Sequence, residues 1–532
     1  MPSSHWKNFI RCLCVCAVLA GVYFRLHHLD LQYFWEDETY SLAHVRVSRW
    51  EWEDFAAKIS PVSGDALVQQ LNSRQANFSG AMRDIFSISL PLPVYTLTLL
   101  PWIQMLGPSL WALRAYSALM GLLSIPLAGA VARSLSRPKT CAPWVAAAFF
   151  SVSPVFVNYC REGRHYGVWI FGMALSTAVT MRLLARNEGE PGLADWVGVS
   201  MAHALAIGAN VLSLPISLSQ LLLLGLLGNK KGWGARRWLP LVLATSFFLS
   251  EMALTRVYRD QHLSNSVAST TYAATYRESF PVFLKSISLG LTKVFLDLDP
   301  AGDVFSRTEH PLVRGVSVVF FGVLLPVLVG FLFYRLRPGN GNQWILAALL
   351  VQFLLFAAMA AATGAAVASV IRYQLPLLLA VLLATAYVVS RGVESERSGV
   401  RVGSLMVFLG LLFSSSLSSW NATRFDYWWY KYFSIRSRPT LEAIARLTSE
   451  DLVLVGSSYE FVTLAYQLKP GTNAKIYYIR GAADWPAVTR MKFRNIYYVT
   501  SAKVESPPDY LRTTTPTAFH EAGLKIWLIE KP

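Results

Sequence analysis

Three adjacent carboxylates, Glu36, Asp37 and Glu38, follow closely on the first apolar run, with Tyr33, Phe34, Trp35 and Tyr40 around them. An acidic triplet in water is ordinarily a solvated face. Packed among aromatic rings, a carboxylate loses hydration and holds a proton more readily, which makes it a tunable general base. A second cluster, Arg161, Glu162, Arg164 and His165, falls in one short connector between two apolar runs. Snorkelling at a membrane surface accounts for one arginine there and poorly for a carboxylate between two of them.

The elements that must position these groups are apolar. Hydrophobic residues make up 54% of the 532-residue chain and charged residues 15%, too little charge for an ordinary soluble protein. The runs Val316 to Phe333, Trp344 to Ala362 and Leu375 to Val389 approach or reach the ~20 residues that cross a bilayer core. Spans are expected at residues 8–25, 110–132, 141–158, 166–185, 195–211, 212–228, 237–255, 312–336, 342–366, 370–390 and 401–419. The net charge of +16 falls largely in short connectors, among them Arg133, Lys230, Arg335 and Arg391, which all lie on the side of Lys7 under this count. That is the positive-inside pattern and not a nucleic-acid footprint.

The first run reads as a retained signal anchor, having no convincing small-residue cleavage site. The five cysteines give no disulfide framework and no zinc spacing. Leu92 to Leu106, shortened by Pro91, Pro93 and Pro101, is expected to lie in the interface, because a full crossing would move every later basic connector to the other side. Residues 1–419 therefore form a transmembrane domain with outward loops at 26–109 and 258–311, and residues 420–532 an outward tail. In the tail, segments at 439–447, 451–455, 459–468, 475–479, 495–499 and 524–529 alternate helix-like and strand-like, which suggests a small α/β domain.

Four motifs, in order, resemble those of the GT-C integral membrane glycosyltransferases, in particular the bacterial relatives of protein O-mannosyltransferases and of the aminoarabinose transferase that modifies lipid A. Asp37-Glu38-Thr39-Tyr40-Ser41 is similar to the family's Asp-Glu motif after the first span. The residues from Pro93 through Tyr95 to Leu97, with Arg114 and Ser117 to Gly121, resemble its juxtamembrane helix and second span. Tyr159 to Tyr166 resembles its Tyr-Ser-Gln-Glu-Ala-Arg-x-Tyr connector, and Arg372-Tyr373-Gln374-Leu375-Pro376 its late Arg-Tyr motif. The chain departs from the pattern at Arg161 and Gly163, and Arg161 adds a positive charge expected to bear on donor or acceptor preference. The family's His-Pro-Pro is here Pro91-Leu92-Pro93.

The resemblance implies a GT-C fold, α-helical with about 11 spans and juxtamembrane helices, and a polyprenyl-phosphate sugar donor. Asp37 would be the base of an inverting displacement and Glu38 would orient the acceptor or Asp37. Arg164 and Arg372, more weakly Arg114, would bind the departing phosphate, with Tyr166 and Tyr373 as hydrogen-bond donors and Glu162 and Tyr95 lining the substrate site. The acceptor would be a glycan, lipid or protein. No cofactor is expected; Asp37, Glu38 and Glu162 together are the set that would hold a divalent cation, a reading that the neighbouring arginines oppose. The expected location is a bacterial inner membrane with the site facing the periplasm, the alternative being the endoplasmic reticulum. A flippase or transporter of isoprenoid-linked glycans and a non-catalytic scaffold are the rival functions, though no paired repeat of broken helices supports a transporter.

Overall fold

The computed structural model describes residues 3–34, 37–39, 41–42, 55–73, 93–136, 140–186, 189–262, 287–288, 290–297, 354, 371–425, 441–456, 458–468, 471–480, 482–501 and 524–529. Its principal helices are α1 (Ser3–Leu26), α2 (Gly64–Ser73), α3 (Pro93–Leu106), α4 (Leu110–Leu135), α5 (Ala142–Val152), α6 (Pro154–Arg161), α7 (Tyr166–Leu184), α8 (Leu193–Ala209), α9 (Leu214–Lys230), α10 (Leu239–His262), α11 (Leu375–Val393), α12 (Ser398–Arg424) and α13 (Ser458–Gln467). Among the described residues six helical segments are long and apolar enough to cross a membrane, or seven if α5 and α6 count as one. The chain is an integral membrane protein. The spans expected at 312–336 and 342–366 lie outside the described residues. The 14 residues of α3, with Pro101 inside, extend only about 21 Å at the helical rise, short of a crossing.

The span expected at 141–158 is in fact two helices that meet at 57°. Pro154 has no N–H to give to the Phe150 carbonyl, and the Val155 N–H turns away to the Lys293 carbonyl at 3.2 Å. The freed acceptors are caught by side chains. Arg25 donates to the carbonyls of Phe150 (3.0 Å) and Ser151 (2.5 Å), and the Ser419 hydroxyl donates to that of Val152 (2.7 Å). A kink whose freed carbonyls are met this way is tolerated in lipid. It lengthens the helical structure to Arg161, so only residues 162–165 form the connector to α7.

The tail folds as expected into β2 (Asp451–Val455), α13, β3 (Lys475–Tyr478), β4 (Asn495–Ser501) and β5 (Leu524–Ile529). One further strand, β1 (Val62–Ser63), comes from the loop between α1 and α3 and pairs antiparallel with β3, giving the order β1-β3-β2-β4-β5. Strands β2, β3 and β4 are parallel, and β2 is buried throughout, as a central strand covered on both faces must be. Val453, Val455 and Ile476 on one face pack with Leu67 and Leu71 of α2 and with Phe461, Val462 and Ala465 of α13. Leu452, Leu454, Ile496 and Trp527 form the core of the other face.

Candidate active site

The acidic motif after α1 divides between two surroundings. Glu38 points into the protein and is fully buried against Arg114 of α4, with Nε to Oε1 at 2.8 Å and one terminal nitrogen to Oε2 at 2.7 Å. Oε1 also accepts the Gly163 N–H at 2.7 Å. The remaining guanidinium hydrogens go to the carbonyls of Leu29, Gln32 and Tyr33 at 2.7–3.0 Å. Arg114 thus ties together the whole turn leaving α1. A bidentate, fully buried pair of this kind fixes geometry. Gly163 is required by the close approach, since a Cβ there would lie 2.7 Å from the Leu113 side chain and 3.0 Å from Glu38 Oε1.

Asp37 faces the other way. Its carboxylate accepts from Arg372 at 2.7 Å, across 335 residues of sequence, and the two side chains are 24% and 29% exposed. The Asp37 carbonyl accepts from Arg164 at 2.8 Å. Arg372 stands at the start of the last-but-one described span, its guanidinium 5.2 Å from the Tyr373 ring centroid. Burial opposes the charge on Arg164, but Asp37 foremost among its neighbours outweighs that and holds its pKa above the ordinary value. Asp37 thus meets two arginines from distant motifs, Arg372 at its part-exposed carboxylate and Arg164 at its backbone carbonyl.

The rest of the expected site is arranged around this centre. Tyr95 of α3 is buried and gives its hydroxyl to the Gly163 carbonyl at 3.0 Å, and Ser117 gives its own to the Arg164 carbonyl at 2.9 Å. These bonds brace the connector from both sides. Tyr166 is buried edge-on against Tyr159 with centroids 5.1 Å apart, and Glu162 is buried with its carbonyl accepting the Arg164 N–H at 2.7 Å. Arg161 is not at the site. It is buried and donates to the carbonyls of Phe24, His27 and His28, capping the end of α1 where orphan acceptors and the negative end of the helix dipole invite a cation. The expectation that its charge tunes substrate preference is corrected accordingly. Glu36 lies outside the described residues. Both Glu38 oxygens are engaged by Arg114, and among the described residues no group of three or more His, Cys, Asp or Glu is placed to hold a metal ion.

His165, singled out in the connector but given no role by the sequence, has as its neighbour Asn210, which sequence reasoning passed over. The Asn210 amide oxygen accepts the Leu212 N–H at 2.9 Å, so its nitrogen faces His165 Nε2 at 3.0 Å and the imidazole proton belongs on Nδ1. Burial first, then Arg164 and Arg372, push the His165 pKa well below the usual imidazole value, with Asp37 pulling the other way. The unfolded chain therefore takes up a proton below about pH 6.5 that the folded chain refuses, and stability is lost as pH falls through that window. The unfolding temperature in detergent should drop with acidification, and His165→Gln should make that dependence flatter; an unchanged slope would count against a neutral buried imidazole.

No family model matches the chain, and no curated protein does. Among solved structures, the chain is similar to ArnT from Cupriavidus metallidurans bound to undecaprenyl phosphate, at 14% identity and a TM-score of 0.47, over 99% of this chain and 98% of that one. It is also similar to the Archaeoglobus fulgidus oligosaccharyltransferase in its apo form, at 12% identity and a TM-score of 0.49, over 94% of this chain and 70% of that one. A second form of that oligosaccharyltransferase, in complex with zinc and sulfate, is similar at 11% identity and a TM-score of 0.44, over 92% and 68% of the two chains.

Proposed function

We propose that the chain is an inverting glycosyltransferase that moves a sugar from a polyprenyl-phosphate donor to a glycan, lipid or protein acceptor at the non-cytoplasmic face, the periplasmic face if the membrane is a bacterial inner membrane. The observation that carries this is Asp37 held between Arg372 and Arg164 at the ends of apolar spans. A lipid-linked phosphate resides at that depth, and the motif resemblance points to the same residues. Asp37 takes the proton from the acceptor nucleophile as that atom bonds to the anomeric carbon. The carbon–oxygen bond to the lipid phosphate breaks, and its electron pair stays on the phosphate. Arg372 and Arg164 meet the charge that grows there, stabilising the transition state more than the ground state. A phosphate that engages Arg372 also draws the guanidinium from Asp37 and leaves the carboxylate to act as base. Glu38 and Arg114 position this turn from behind, and no metal step is invoked.

The test is transfer by purified protein in nanodiscs from a panel of radiolabelled polyprenyl-phosphate hexoses and pentoses. Movement of unmodified lipid across liposomes without transfer would overturn the reading in favour of a flippase. A guanidinium can grip phosphate through two parallel bonds, which an ammonium cannot. Arg164→Lys and Arg372→Lys should therefore each lower turnover by roughly 10- to 100-fold, the worth of one charged hydrogen bond. Donor affinity should fall less than turnover, and the double variant should lose less than the product of the single losses if both groups grip one phosphate. Wild-type kinetics in both lysine variants would reduce these arginines to interfacial anchors.

A further inference from the structure

The turn that carries Asp37 is held from the membrane side by Arg372, Arg164 and, through Glu38, Arg114. Its other side is closed by the tail, more than four hundred residues away in sequence. Thr39 Oγ1 lies 2.6 Å from Thr463 Oγ1 in a buried contact, and Gln467 Nε2 donates to the Phe34 carbonyl at 2.6 Å. Between them the Phe34 ring, 1% exposed, packs on Tyr466 with centroids 4.7 Å apart.

Thr463, Tyr466 and Gln467 fall at i, i+3 and i+4 of α13, so they share one face. The opposite face, Phe461, Val462, Ala465 and Leu468, is buried against the sheet. Helix α13 is therefore a fixed part of the tail's core that presents the stripe of Thr463, Tyr466 and Gln467 to Phe34 and Thr39. Two hydrogen bonds, one at Phe34 and one at Thr39, flank Asp37 in sequence and limit both its height and its rotation.

We propose that Thr463 and Gln467 are positioning residues for Asp37, so that the tail domain completes the catalytic centre of the membrane domain; this rests on Asp37 being the base of sugar transfer. A reacting group displaced by about 1 Å can lose about 10² in rate, whereas phosphate capture by Arg164 and Arg372 does not pass through α13. Turnover should therefore suffer and donor binding should not.

The experiment compares wild type, Asp37→Asn, Thr463→Val, Thr463→Ser, the double variant Thr463→Val with Gln467→Met, and Asn72→Ala, in full-length protein in nanodiscs. Asn72 accepts the Tyr466 hydroxyl at 3.2 Å on the α2 side, so its loss loosens Tyr466 and the domain while keeping the hydrogen bonds of Thr463 and Gln467 to Thr39 and Phe34. Turnover is read with the radiolabelled donor panel and binding with unmodified polyprenyl phosphate. The double variant should lose at least about tenfold in turnover with lipid-phosphate affinity within about twofold, and Thr463→Ser, which keeps the hydroxyl, should stay within about threefold of wild type. Asn72→Ala should behave as wild type. If Asp37→Asn is inactive while the double variant turns over normally, the positioning role is overturned and the base stands. If Asp37→Asn is active, the reading of Asp37 fails first and the positioning role with it. Equal losses in turnover and affinity, or a loss in Asn72→Ala matching that in the double variant, would show that a loosened domain was being measured and would also overturn it.

Discussion

Asp37→Asn is expected to cost about 10² to 10⁴ in turnover, the usual worth of a general base, while leaving the protein inserted and folded. The amide keeps the shape of the side chain and its hydrogen bond from Arg372, so the part-exposed ion pair is weakened without leaving a cavity. Because Arg372 and Arg164 remain, binding of a polyprenyl phosphate should persist. That combination, occupancy without chemistry, separates a base from a structural carboxylate and is read by comparing lipid-phosphate affinity with transfer. Near-normal transfer would remove Asp37 from the role.

The adjacent carboxylate should fail in the opposite manner. Glu38→Gln leaves Arg114 charged, fully buried and short of its counter-ion, and breaking such a pair typically costs about 3–5 kcal/mol. Replacing both partners by apolar residues is often tolerated elsewhere, but here it would also strand the carbonyls of Leu29, Gln32 and Tyr33 and the Gly163 N–H. Both Glu38→Gln and the apolar double variant should therefore lose yield and unfold at lower temperature in detergent, before any effect on chemistry is considered. A Glu38→Gln protein as stable as wild type, yet inactive, would place Glu38 at the substrate and not behind it.

The elements were largely legible in sequence because each carries its own period. Strands 451–455 and 524–529 and helix α13 announce themselves through buried runs and alternation, and α1, α4 and α7 through length. The bend at Pro154 was less so. Proline in an apolar run marks a weakness, but whether the run breaks depends on Arg25, Ser419 and the Lys293 carbonyl waiting for the freed groups. The division of labour between Asp37 and Glu38 was not legible at all. Neighbours in a helical turn point in different directions, and which of them meets Arg372 or Arg114 is decided by packing. Arg161 teaches the same lesson, its neighbours suggesting a substrate cation while the end of α1 claims it. The Thr39–Thr463 contact left no local trace either, since a threonine on a helix face is unremarkable until the other chain segment is known.

Strand β1 has a consequence for biogenesis. Val62 pairs with Ile476, so the edge of the tail sheet is made from a segment that leaves the ribosome long before its partner. At about 5–20 residues per second the loop between α1 and α3 waits tens of seconds, while the intervening spans are made, before β3 exists to receive it. Until then neither the strand nor the face of α2 has anything to cover it. A nascent chain in this condition is an aggregation hazard and a client for chaperones, and it is at its most vulnerable to proteases before synthesis ends.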